Sequence, residues 1–167
     1  MDELYFKMNT KALTYSSISD ILANNHSYLS IESYEKIENH ERYPDEISLK
    51  TKYMTASIDT YETNDCMLES PYSYDAPEFG VVDFEVYPYL FISMNYFLGR
   101  EEVIDILELF KFLSLFMNID KSDCILTSPS YDIIFFRKDN TFYFPDNPSL
   151  NDDLLPNWSD IKDNLKT

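Results

Sequence analysis

Apolar and polar residues alternate along much of this chain, and the period of the alternation changes from segment to segment. Within residues 28–37, Leu29 and Ile31 alternate with Ser30 and Glu32, the period of two that a half-buried strand requires. Residues 47–61 alternate again, with Ile47, Leu49, Thr51, Tyr53 and Thr55 on one side and Ser48, Lys50 and Lys52 on the other. Between these runs, residues 39–45 are polar, contain Pro44 and read as a turn, so the two runs are expected to pair antiparallel. Residues 81–86 and 89–98 read as two more strands, separated at Pro88. The second carries apolar residues on both faces, Leu90, Ile92 and Met94 against Phe91 and Phe97, which predicts a central position in the sheet. Residues 124–127 form a short strand, and 131–136 and 141–144 flank Lys138-Asp139-Asn140 as a hairpin.

Helical spacing appears in three places. Residues 17–24 place Ile18, Ile21 and Leu22 on one face, with Ser17 or Ser19 as cap. In residues 100–117, Glu101, Glu102 and Asp105 favour the positive end of a helix dipole. Val103, Ile106, Leu107, Phe110, Leu113 and Met117 follow with helical spacing, and Ile104, Leu109, Phe112 and Phe116 widen the stripe. Residues 159–165 read as a last short helix capped by Ser159. The expectation is an α+β fold, a mainly antiparallel sheet packed by one long helix with short flanking helices. With no internal repeat and no linker, residues 1–167 are expected to form a single domain.

Composition narrows the chemistry. Gly80 and Gly99 are the only glycines, which excludes a P-loop and a dinucleotide fingerprint, since both need several glycines where backbone meets phosphate. Cys66 and Cys124 lack metal-ligand spacing and are too few for a disulfide framework, so two free thiols in a reducing compartment are expected. The N-terminus has no basic region followed by an apolar one, and no apolar run is long enough to cross a bilayer. A cytoplasmic location is the expectation. His26 and His40 have no nucleophile partner and no metal spacing, and both read as surface histidines. Asp59, Glu62 and Asp65, or Asp120 and Asp123, offer carboxylates for calcium, but Asp120 to Asp123 spans too few residues for an EF-hand loop and no loop glycine with a terminal Glu follows, so solvated charge is the expectation. No catalytic, cofactor-binding or metal-binding residue is assigned, and no cofactor is expected.

Charge alters this picture more than any motif. The net charge is −17, with 30 carboxylates against 13 basic side chains. Such a field repels nucleic acid and anionic membrane and speeds encounter with a cationic partner. Residues 53–99 contain no Lys or Arg, yet carry Asp59, Glu62, Asp65, Glu69, Asp75, Glu78, Asp83 and Glu85, interleaved with Tyr61, Tyr72, Tyr74, Phe79 and Tyr87. Solubility does not require one sign of charge to be segregated. Carboxylates steer a basic partner and tyrosine rings supply buried contact area. Residues 62–79, broken by Pro71 and Pro77, read as a long acidic loop carrying this surface. The candidate partner-binding residues are therefore Asp59, Tyr61, Glu62, Asp65, Glu69, Tyr72, Tyr74, Asp75 and Glu78.

From Leu90 to Trp158 the chain resembles the immunity proteins that accompany bacterial polymorphic toxins of the contact-dependent inhibition type. The resemblance lies in a hydrophobic strand, a long helix, Asp123-Cys124-Ile125-Leu126, and then Tyr131-Asp132-Ile133-Ile134-Phe135-Phe136-Arg137-Lys138-Asp139-Asn140-Thr141-Phe142-Tyr143, with Trp158 beyond. It implies an antitoxin-like protein that binds and neutralises a cognate toxin effector domain in the cytoplasm of the producing cell; the acidic stretch adds the expectation that this domain is basic, and the sparse catalytic chemistry that the protein is non-enzymatic. No binding residue is carried over from the family. The alternative is an acidic mimic of duplex DNA that inhibits a nuclease or phage-defence complex. A mimic needs a long regular double row of carboxylates, which the prolines of residues 62–79 interrupt. An enzyme acting on small cationic or sugar substrates is the third reading.

Overall fold

The computed structural model describes residues 2–10, 12–38, 46–60, 72–76, 80–84, 90–96, 104–129, 133–144 and 163; for Asp2, 72–76, 80–84, Tyr96 and 104–107 it describes the backbone alone. Strands β1 (Asp2–Met8), β2 (Ile31–Ile37), β3 (Glu46–Thr51), β4 (Met54–Thr60), β5 (Tyr72–Ala76), β6 (Gly80–Phe84), β7 (Leu90–Tyr96), β8 (Cys124–Thr127), β9 (Ile133–Lys138) and β10 (Thr141–Tyr143) are accompanied by helices α1 (Tyr15–Asn24) and α2 (Ile104–Met117). Eight of the strands form one sheet in the order β10-β9-β8-β1-β7-β4-β3-β2, with every pairing antiparallel. β7 lies in its interior between β1 and β4, as its apolar residues on both faces suggest.

This architecture corrects the expected fold class. The sheet dominates, and the one long helix expected to pack on it is not seen among the described residues. The described helices are short, at 10 and 14 residues. The main reason is β1, whose Leu4, Phe6 and Met8 alternate with Glu3, Tyr5 and Lys7 at a strand period that the sequence reading did not use. By inserting between β7 and β8, β1 joins the β2–β3–β4–β7 half of the sheet to the β8–β9–β10 half. Most of the core is consequently sheet: Leu4, Phe6, Met8, Ile47, Leu49, Met54, Ala56, Ile58, Leu90, Ile92 and Met94 all lie in one buried cluster. The helices add Ile18 and Leu22 from α1, and Leu109, Phe110, Phe112, Leu113, Phe116 and Met117 from α2.

Local chemistry explains the element boundaries. α1 starts earlier than Ser17 because Thr14 caps it: Thr14 Oγ1 accepts from Ser17 N at 3.2 Å, and Ser17 Oγ accepts from Thr14 N at 2.8 Å. The run 47–61 is two strands, not one. Thr51, buried, accepts at Oγ1 from the amides of Tyr53 and Met54, both at 3.1 Å, and so folds the chain back on itself. The turn resets the alternation, and Met54, Ala56, Ile58 and Thr60 are the buried residues of β4, instead of Tyr53 and Thr55. In β2 an irregularity between Ile31 and Ser33 shifts the register, so Ile31 is buried while Ile37 pairs with Glu46 on the opposite face. The hairpin expected around Lys138-Asp139-Asn140 is present but tighter: β9 runs on to Lys138, which pairs with Thr141, and only Asp139 and Asn140 turn, with φ of 50° and 65°.

Two further corrections concern residues 62–84. The stretch read as a loop contains β5, which pairs with β6 in a separate two-stranded sheet, with Tyr72 opposite Phe84 and Ser73 opposite Asp83. The strand expected at 81–86 therefore belongs to this hairpin and not to the main sheet. The turn at 39–45 lies outside the described residues, as does the helix at 159–165 apart from Asp163.

The connection from α2 to β8 is held by a buried cation. Arg137, 4% exposed, donates from Nη1 to the carbonyl of Met117 at 2.9 Å, ending α2 there. It also donates from Nη2 to Asp120 O at 3.1 Å, and from Nε and Nη2 to Ser122 O at 3.0 and 2.7 Å. Asp120 receives hydrogen bonds from Thr10 Oγ1 at 2.6 Å and Ser122 N at 2.9 Å. Burial pushes the Asp120 carboxyl up, but these bonds and the nearby guanidinium hold it below the usual carboxylate value.

Candidate functional site

Because strand side chains alternate, the core-facing residues of the sheet leave a second set on its other face. Register aligns that set in rows. One row runs Phe136, Ile125, Lys7, Phe91, Asp59, Glu46 across β9, β8, β1, β7, β4 and β3. The next runs Thr127, Tyr5, Ser93, Ser57, Ser48, and a third Glu3, Asn95, Thr55, Lys50. Over β8 and β9 this face is apolar and buried, with Ile125 and Phe136. Over β7, β4 and β3 it is polar and half-buried.

The polar part has a floor of small hydroxyls and a rim of carboxylates. Ser57 Oγ donates to Glu46 Oε2 at 3.0 Å, and Ser93 Oγ donates to Glu3 Oε1 at 3.3 Å. Tyr5 stacks on Phe91 with ring centroids 5.8 Å apart, and Lys7 Nζ lies 5.8 Å from the Phe91 centroid. Asp59 stands directly opposite Glu46 across the β3–β4 pairing. Burial, and then the Glu46 charge, push the Asp59 carboxyl up to about 6. Burial pulls the Lys7 ammonium down to about 8. This is the electrostatic signature of a face that holds charge at a cost.

Several of the described basic side chains elsewhere are already engaged. Lys50 pairs with Glu32 at 3.4 Å and Lys111 with Glu108 at 2.9 Å. Lys36 lies over the Tyr15 ring, Lys52 over Tyr53 and Arg137 over Phe142. Asp59 is thus the sequence candidate whose surroundings are visible, and among the described residues no cation pairs with it.

Comparison with protein-family models, with curated proteins and with solved structures finds no match.

Of the other sequence candidates, Tyr72, Tyr74 and Asp75 fall on β5, while Tyr61, Glu62, Asp65, Glu69 and Glu78 lie outside the described residues. Sequence reasoning missed Glu3, Tyr5, Lys7, Glu46, Ser57 and Ser93. Their signal was the polar half of the same alternation that marked the core, but assigning them to one face needs the strand order. His26 is exposed. Cys124 is buried, and burial pushes its thiol up to about 12, so it is not a nucleophile in the folded chain. Among the described residues no group of three or more His, Cys, Asp or Glu could hold a metal ion, and no helix is long and apolar enough to cross a membrane.

Proposed function

We propose that this is a non-enzymatic immunity-type protein that binds and neutralises a cognate basic toxin domain in the cytoplasm of the cell that makes both. The observation that carries this reading is the uncompensated acidity of residues 53–99, which contribute β4 and β7 to the polar sheet face. Asp59 on that face meets another carboxylate across the strands instead of a cation. A guanidinium or ammonium from a basic partner would supply the missing charge. Tyr61, Tyr72 and Tyr74 provide aromatic contact area along the same stretch. Carboxylates held where a partner expects phosphates would block a toxin that acts on nucleic acid.

The test is binding to the basic C-terminal domain encoded by the neighbouring toxin gene, followed across a salt series. Association should slow markedly as the Debye length shrinks from about 30 Å at 0.01 M to about 8 Å at physiological ionic strength, and dissociation should change much less. An association rate that ignores salt removes the steering argument, and failure to bind or protect against that domain removes the immunity reading.

A further inference from the structure

We propose that the β3–β4 pairing is a pH-responsive element, in which Asp59, set directly opposite Glu46, takes up a proton in mildly acidic solution and the pairing loosens when Asp59 loses it. This stands apart from the partner reading and needs no ligand. The geometry is a directly opposed cross-strand pair of like groups, whose β-carbons such register brings within about 5 Å. Both side chains are half-buried, so water screens them only in part.

The surroundings do not relieve the repulsion. On β3, Glu46 is the opposing group, and Lys50 sits four residues along, roughly 13 Å away, already paired with Glu32. On β7 the residue opposite Asp59 is Phe91, which carries no charge. Lys7 on β1 is the first cation in the row, two strands and roughly 10 Å away. On β2, Ile37 faces Glu46; Glu35, the next charged group on this face, is acidic and exposed, and Lys36, opposite Ile47, lies over the Tyr15 ring. β4 itself contributes only Ser57 and Thr55 to this face. Ser57 donates to Glu46 and so holds that carboxylate in place opposite Asp59. The upward displacement of the Asp59 carboxyl agrees with that placement.

The experiment follows the Asp59 side-chain carboxyl by carbon-13 NMR from pH 3 to 8, alongside amide exchange at Ile47, Leu49, Ala56 and Ile58. Protection at those amides, corrected for intrinsic exchange and compared with Leu126 and Phe135, should be several-fold higher at pH 5 than at pH 7.5. A midpoint near 6 allows about tenfold over this window without screening, and partial exposure reduces it. Asp59→Asn should make the ratio independent of pH, and Glu46→Gln should lower the Asp59 midpoint. The proposal is overturned if Asp59 titrates near its ordinary value of about 4. It is equally overturned if Asp59→Asn keeps the pH dependence, or if Glu46→Gln leaves the midpoint in place.

Discussion

Replacing Arg137 tests whether one buried cation fixes the junction between the helical layer and the sheet. Its guanidinium makes four hydrogen bonds to the carbonyls of Met117, Asp120 and Ser122. Hydrogen bonds that involve a charged group contribute about 1.5–3 kcal/mol each, net of the bonds to water they replace, and within one network they do not add. Removing one partner of such a buried network costs about 3–5 kcal/mol, because the groups left behind have no water to replace it. Arg137→Ala is expected to cost that much in urea unfolding followed by circular dichroism. For a chain of this length the melting temperature should fall by roughly 10 °C. Arg137→Lys should recover only part, since one ammonium cannot span three carbonyls in a fixed fork. Raising salt should leave the difference almost unchanged, because the group is shielded from the ionic atmosphere. A loss below about 1 kcal/mol for alanine, or full recovery by lysine, would show that the 118–123 connection holds itself in place without the guanidinium.

The other predictions concern the core, the caps and the thiol. Phe110→Ala should cost about 3–5 kcal/mol in the same assay, as its ring packs 5.9 Å from that of Phe135; a loss under about 1 kcal/mol would put Phe110 at the surface. Thr14→Ala should cost about 1 kcal/mol and Thr14→Ser almost nothing, whereas equal losses would discount the cap. Asn140→Ala should cost about 1 kcal/mol through its left-handed backbone, and Asn140→Gly should not; the reverse order would contradict the turn. In a Cys66→Ser background, Cys124 should resist alkylation at pH 8 until denaturant is added, and rapid native labelling would contradict its burial.

Sequence periodicity by itself was enough to locate β2, β7, β8 and the β9–β10 hairpin, because each is a short run whose alternation, or whose Asp139-Asn140 turn, is a property of neighbouring residues. It also placed β7 in the interior of the sheet, although the second face of that strand, with Ser93 and Asn95 beside Phe91, is half-buried and largely polar. The Lys-free and Arg-free span 53–99 is equally a property of the sequence alone. What the tertiary structure decided is everything that depends on which strands meet. β1 shows the same alternation as any edge strand, and only its pairing with both β7 and β8 reveals that it joins the two halves of the sheet. The break at Thr51 could not be read from period, because a buried threonine there both continues the alternation and supplies the oxygen that ends it. Asp59 and Glu46 are 13 positions apart in sequence and become neighbours only through the β3–β4 register. Electrostatic coupling falls with distance in space, and the sequence records distance along the chain alone.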